Sequence, residues 1–173
     1  KDRFVNYEEA KKWYPGAGNR YQWSRYDYVI VTTNAIVDCF EDDLETFMNH
    51  KRDMGFSPLL ITEDDYGSMV GHYPDNREEK IRAWLKTYYA EYGIEFVLMI
   101  GDPRSWNHTG DFAVAMKFTT FEHRIPSDAY YADLSGDWDL DDDTYFGSHP
   151  EDWGPGGVDQ TSEVYVGRIA IYS

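Results

Sequence analysis

Carboxylates dominate the stretch of this chain best suited to chemistry. The run Asp133-Leu-Ser-Gly-Asp137-Trp-Asp139-Leu-Asp141-Asp142-Asp143-Thr-Tyr-Phe-Gly147 sets aspartates alternately at 137, 139, 141 and 143, and no Lys or Arg occurs from Ile125 to Gly167. Like charges this close repel unless something neutralises them. Alternation in an extended or looping backbone aims the side chains at one point, which is how oxygen ligands gather around Ca²⁺. The run is not an EF-hand: counted from Asp137, Asp142 stands where Gly is needed and Ser148 where Glu is needed. The expected ligands are Asp133, Asp137, Asp139, Asp141 and Asp143, with Asp152 or Asp159 completing the set from further on. An all-oxygen set suits a hard cation, and Ca²⁺ tolerates irregular geometry better than Mg²⁺. The competing reading is a solvated acidic loop.

Nucleophiles are scarce. Cys39 is the single cysteine, and Asp38, Glu41, Asp42 and Asp43 around it disfavour a thiolate, so it reads as a partly buried, inert residue on a helix flank. The histidines at 50, 72, 108, 123 and 149 show no metal-ligand spacing, and zinc is not indicated. Gly-x-Ser-x-Gly, phosphate-loop and Gly-x-Gly-x-x-Gly patterns are absent. Asn107-His-Thr109 fits a glycosylation acceptor, a pattern that chance often produces.

The net charge of −16 argues against a nucleic-acid partner, because phosphates need Lys and Arg. It also disfavours an anionic membrane surface. A length of 173 residues suits one domain with a real core, and 15 Tyr with 6 Trp argue against disorder. One cysteine permits no internal disulfide, and no stretch approaches a membrane span. No signal peptide is visible, so the chain reads as a mature or trimmed form.

The elements that must position the acidic run precede it. Residues 1–25 read as a preceding segment or linker packing on the domain through Trp13, Tyr21 and Trp23, and residues 26–173 as the domain. Tyr26–Thr33 is a β-branched run and predicts a buried strand. A helix follows through Ile36, Val37, Phe40, Leu44, Phe47 and Met48, with acids early, Lys51 and Arg52 late, and Gly55 closing it. Phe56–Thr62 is a second strand. Asp75 with Glu78 reads as a capping pair for a helix that runs to Gly93, and Ile94–Asp102 is a third strand. A strand or hairpin arm is expected at Phe112–Phe118, a short strand at Asp128–Leu134, and a terminal strand over Ser162–Ile169. Strand–helix alternation predicts a mostly parallel sheet covered on both faces, a three-layer α/β sandwich. Ligands collect beyond the carboxyl ends of such strands, where Asn34, Glu63 and Asp102 stand.

Taken in order, Tyr26-Asp-Tyr-Val-Ile-Val-Thr, Lys51-Arg-Asp-Met-Gly-Phe56, Phe96-Val-Leu-Met-Ile-Gly-Asp102, Ile125-Pro-Ser-Asp-Ala-Tyr-Tyr-Ala-Asp-Leu134, the acidic run and Glu163-Val-Tyr-Val-Gly-Arg-Ile169 resemble the gingipain-like cysteine peptidases from Tyr26 onward. The resemblance implies a caspase-like α/β fold, incomplete at its carboxyl end here, and a secreted or surface-exposed protein, often with bound Ca²⁺. It implies endopeptidase activity on proteins or peptides by a Cys–His pair that lies downstream of the Gly-Arg strand, whereas this chain ends at Ser173. It further implies that Glu163 is a carboxylate orienting the catalytic His, although Ser162 stands where Pro is common.

The leading expectation is therefore the amino-terminal portion of such a peptidase, calcium-bound and inactive without the remainder of its parent. The main rival is a non-catalytic, Ca²⁺-stabilised adhesion or surface module of the same fold. A receiver-like signalling domain is a third reading, but it leaves the acidic run unexplained.

Overall fold

A computed structural model describes residues 25–106, 109–121 and 123–172. The elements are β1 (Tyr28–Val31), α1 (Asn34–Asp53), β2 (Pro58–Ile61), α2 (Glu63–Tyr66), α3 (Arg77–Tyr92), β3 (Phe96–Gly101), β4 (Lys117–Phe121), β5 (His123–Ser127), α4 (Ala129–Ala132) and β6 (Tyr165–Ala170). The expected packing of Trp13, Tyr21 and Trp23 lies outside the described residues.

The apolar runs of β1, β2 and β3 are buried because helices lie on both faces of their sheet, as near-continuous hydrophobic strands require. The sheet order is β2-β1-β3-β6, with every pairing parallel. Val29, Val31, Val97 and Met99 face α3, where Ile81, Trp84 and Leu85 meet Tyr130, Tyr131, Trp138 and Phe146. Ile30, Leu98 and Ile100 face the other way, onto Ile36 and Leu44 of α1. Helix, sheet and helix make the α/β sandwich of a caspase-like fold. A separate antiparallel hairpin, β4–β5, joins β3 to the acidic run.

Helix boundaries follow local chemistry. Thr33 caps α1 by accepting from the Ile36 amide at 3.2 Å. The helix starts at Asn34, so its acids fall after the first turn, and it kinks at Phe40. The capping pair of α3 is Asn76 with Glu79, one residue later than the Asp75–Glu78 pair expected. Asp75 is drawn off instead, accepting from the Gly71 amide at 2.6 Å and Lys80 Nζ at 2.9 Å. Gly93 ends α3 at φ 69°, a left-handed position that suits glycine.

The connecting segments differ from expectation in two places. Between 112 and 118, Ala113 makes an isolated bridge to Asp102, and the strand begins only at Lys117. Within residues 128–134, where a strand was expected, Ala129–Ala132 form the single turn α4. The reason is packing: Tyr130 and Tyr131 are both buried in one core, whereas a strand would send neighbouring side chains to opposite faces.

β6 is half dressed. Val164 and Val166 pack toward α3, but on the α1 side Tyr165 is 71% exposed and Ile169 46%. Among the described residues no strand pairs with the outer edge of β6.

Candidate functional site

The acidic loop is built around buried carboxylates that organise backbone. Asp133 accepts from four donors: the amides of Ser135 at 3.2 Å, Gly136 at 2.8 Å and Asp159 at 3.2 Å, and Trp138 Nε1 at 2.9 Å. Asp139 takes the Thr144 amide on both oxygens, at 3.0 and 3.2 Å. That bond holds Thr144 at φ 70°, a conformation β-branched residues rarely adopt. Asp152 receives the Leu140 amide at 2.6 Å and the Ser148 amide at 2.8 Å, closing the loop. Its two ends touch where the Asp137 amide donates to the Gly156 carbonyl at 2.9 Å. A side chain at Gly157 would sit 2.0 Å from the Asp152 carbonyl, so only glycine allows this approach.

Of the aspartates expected to bind metal, the loop brings Asp139 and Asp141 together and adds Asp152, with one carboxylate oxygen from each lying within 4.8 Å of the others. Asp139 and Asp152 are buried, and Asp141 is exposed. Each carboxylate oxygen has a second lone pair, so bonding to amides leaves capacity for a cation. The other three expected ligands fall outside this trio. Asp133 is spent on its four donors, Asp137 accepts from the Asp139 amide at 3.1 Å, and Asp143 from the Tyr145 amide at 2.7 Å. Among the described residues, no Lys or Arg forms an ion pair with Asp139, Asp141 or Asp152. The nearest basic group is His72, whose Nδ1 lies 3.5 Å from Asp139 and Nε2 3.6 Å from Asp142. Lost hydration, then the charges of Asp143, Asp152 and Asp139, push the Asp141 carboxyl above its ordinary value. A bound cation would reverse that crowding.

Two buried cations brace this region, and neither was evident from the sequence. The Arg82 guanidinium reaches the carbonyls of Tyr130 at 2.7 Å, Asp133 at 2.6 Å and Gly136 at 2.8 Å, and lies 4.7 Å from the Tyr130 ring centre. Lys117 pairs with Glu79, with its Nζ 4.0 Å from Glu78 and 3.6 Å from the ring centre of Phe146. Burial pushes the Glu79 carboxyl up, against the pull of Lys117. The signal available in sequence was Glu78 and Arg82 at helical spacing on the stripe that carries Ile81 and Leu85.

Glu163 precedes β6 by two residues, at the amino ends of the strands. Its carboxylate accepts from the Leu134 amide at 2.7 Å and its own amide donates to Ala132 at 3.0 Å, so it staples α4 to the sheet. Asn34, Glu63 and Asp102 gather at the opposite, carboxyl ends. There the Asn34 amide donates to Glu63 at 2.8 Å, Arg77 lies 3.4 Å from Glu63, and buried Asp102 grips Arg104. Cys39 is exposed on α1, more open than expected.

Arg168 of β6 binds both oxygens of Asp128, at 2.8 and 2.7 Å, tying the Gly-Arg strand to the Ile-Pro-Ser-Asp segment. These two motifs carried much of the resemblance, and the fold makes them partners. Residues 21–173 match the model of peptidase family C25, the gingipain family. The chain belongs to peptidase family C25. No curated protein and no solved structure matches it. Among the described residues of this C25 chain, no helix is long and apolar enough to cross a membrane.

Proposed function

We propose that this chain is the amino-terminal portion of a gingipain-like cysteine endopeptidase, without peptidase activity until the remainder of the parent supplies the catalytic Cys and His. The observation that carries this reading is β6. Its outer edge has no strand partner among the described residues, and Tyr165 and Ile169 stand exposed beside a sheet otherwise sandwiched by helices. An apolar strand left open on an edge and a face is a surface for further structure. Proteins or peptides would be the substrates of the completed enzyme.

Asp139, Asp141 and Asp152 would hold Ca²⁺, which would neutralise the loop and lock its two ends together. That role is structural, and extracellular Ca²⁺ modules work at ~10⁻⁴–10⁻³ M. Such a protein would work outside the cytoplasm, secreted or on the cell surface. Glu163 anchors the loop to β6. Its part toward a catalytic His would require that His to approach the amino ends of the strands.

Co-expression with the segment that follows it in the parent gene tests the association. The two pieces are expected to co-purify, and Ile169→Asp, on the exposed face, to weaken the complex roughly tenfold or more. Undiminished binding by Ile169→Asp, or a parent reading frame that continues into a repeat array, would favour the non-catalytic module instead.

A further inference from the structure

Beyond the carboxyl end of β3 lies a cavity of about 440 Å³ between the start of α3, the start of β4 and the end of the acidic loop. Its position fits the general preference of α/β sheets for binding there, and its size fits a small ligand or one to two residues of a chain. Ser105 lines it, is 1% exposed, and its Oγ has no hydrogen-bond partner among the described residues. Buried hydroxyls are usually satisfied, so this one marks a place where a partner belongs.

The rest of the lining says what kind of partner. Lys117 and Glu78 both line the cavity, so its floor carries both signs of charge 4.0 Å apart. An anion would meet Glu78 and a lone cation would meet Lys117. A neutral group with a donor and an acceptor side by side meets neither penalty, and a serine hydroxyl can serve both of its ends. Phe118 and Phe146 supply apolar wall, and the rim rings Tyr73 and Tyr145 are 72% and 54% exposed. Such rings give contact area to an apolar side chain at low entropic cost.

We propose that this cavity docks a peptide segment, taking a main-chain amide on Ser105 and an aromatic or aliphatic side chain between Tyr73 and Tyr145. The site is made wholly from this chain, so its binding does not depend on the catalytic reading above. A neutral probe, N-acetyl-phenylalanine methylamide, titrated into the whole chain and followed by amide chemical shifts, tests it. The probe is expected to bind at millimolar concentration, to move the resonances of Ser105, Phe118 and Phe146, and to lose roughly tenfold in affinity with Ser105→Ala. Ser105→Ala should melt no lower than the parent, since it removes an unsatisfied hydroxyl. Tyr145→Ala, at the exposed rim, should also weaken binding without unfolding the protein. No shift at millimolar probe, affinity unchanged in both variants, or tighter binding of phenethylammonium or phenylpropionate than of the neutral amide would overturn the proposal.

Discussion

Saturating Ca²⁺ is expected to raise the melting temperature of this chain by roughly 5–10 °C over its value in chelator. A ligand held only by the native state at about a hundred times its dissociation constant adds about 2.7 kcal/mol. In a domain of this size each kcal/mol is worth about 2–4 °C. The source of the effect is the trio Asp139, Asp141 and Asp152, gathered within 4.8 Å with no Lys or Arg paired to them among the described residues. Asp141→Asn is the cleanest variant. Asp141 is exposed, whereas Asp139 and Asp152 are buried and hold the Thr144 and Leu140 amides, so the change removes a proposed ligand with the least disturbance to the loop. It should leave the melting temperature in chelator unchanged or slightly raised and cut the Ca²⁺ increment by more than half. An equal increment from Mg²⁺, or one that survives Asp141→Asn, would remove calcium from the account.

Arg82→Met is expected to cost about 3–5 kcal/mol, read as the midpoint of urea unfolding at constant slope. Arg82 is buried, and its guanidinium satisfies the carbonyls of Tyr130, Asp133 and Gly136 together. Methionine fills much of the volume but leaves those carbonyls without a donor. Arg82→Lys should recover only part of the loss, because an ammonium lacks the planar fork that spans separate acceptors. The damage should reach the acidic loop, since Asp133 and Gly136 begin it. The Ca²⁺ increment should therefore shrink in Arg82→Met although no ligand has changed. A loss below about 1 kcal/mol would mean that water replaces the guanidinium freely and that Arg82 is not the brace proposed.

The sheet was legible because its strands are local signals. Tyr28–Val31, Pro58–Ile61 and Phe96–Gly101 are short apolar runs between helices, and such runs have few alternatives to a buried parallel strand. The turn at α4 was not legible, because Tyr130 and Tyr131 satisfy a strand pattern as well as a helical one until the core shows that both point inward. The acidic loop was half legible. Sequence shows that carboxylates are dense, but not which of them bind backbone. Asp133 has the density of a ligand and the bonding of a scaffold, while Asp152 joins Asp139 only because the loop folds back through Gly157. Arg82 in α3 and Lys117 at the start of β4 are not legible as buried cations, because charged side chains on helices and strands are ordinarily solvated. Glu163 carried an expectation drawn from resemblance, and its carboxylate is bonded to the Leu134 amide.

We propose that this C25 chain is one part of an enzyme whose nucleophile lies elsewhere. Incubation of the chain with an unfolded protein substrate at neutral pH and millimolar Ca²⁺, alone and then with the downstream remainder of its parent, tests that most directly. No cleavage is expected from the chain alone, and cleavage only when the remainder is added. Cleavage by the chain alone that Cys39→Ala abolishes would contradict the account, by placing the nucleophile on α1.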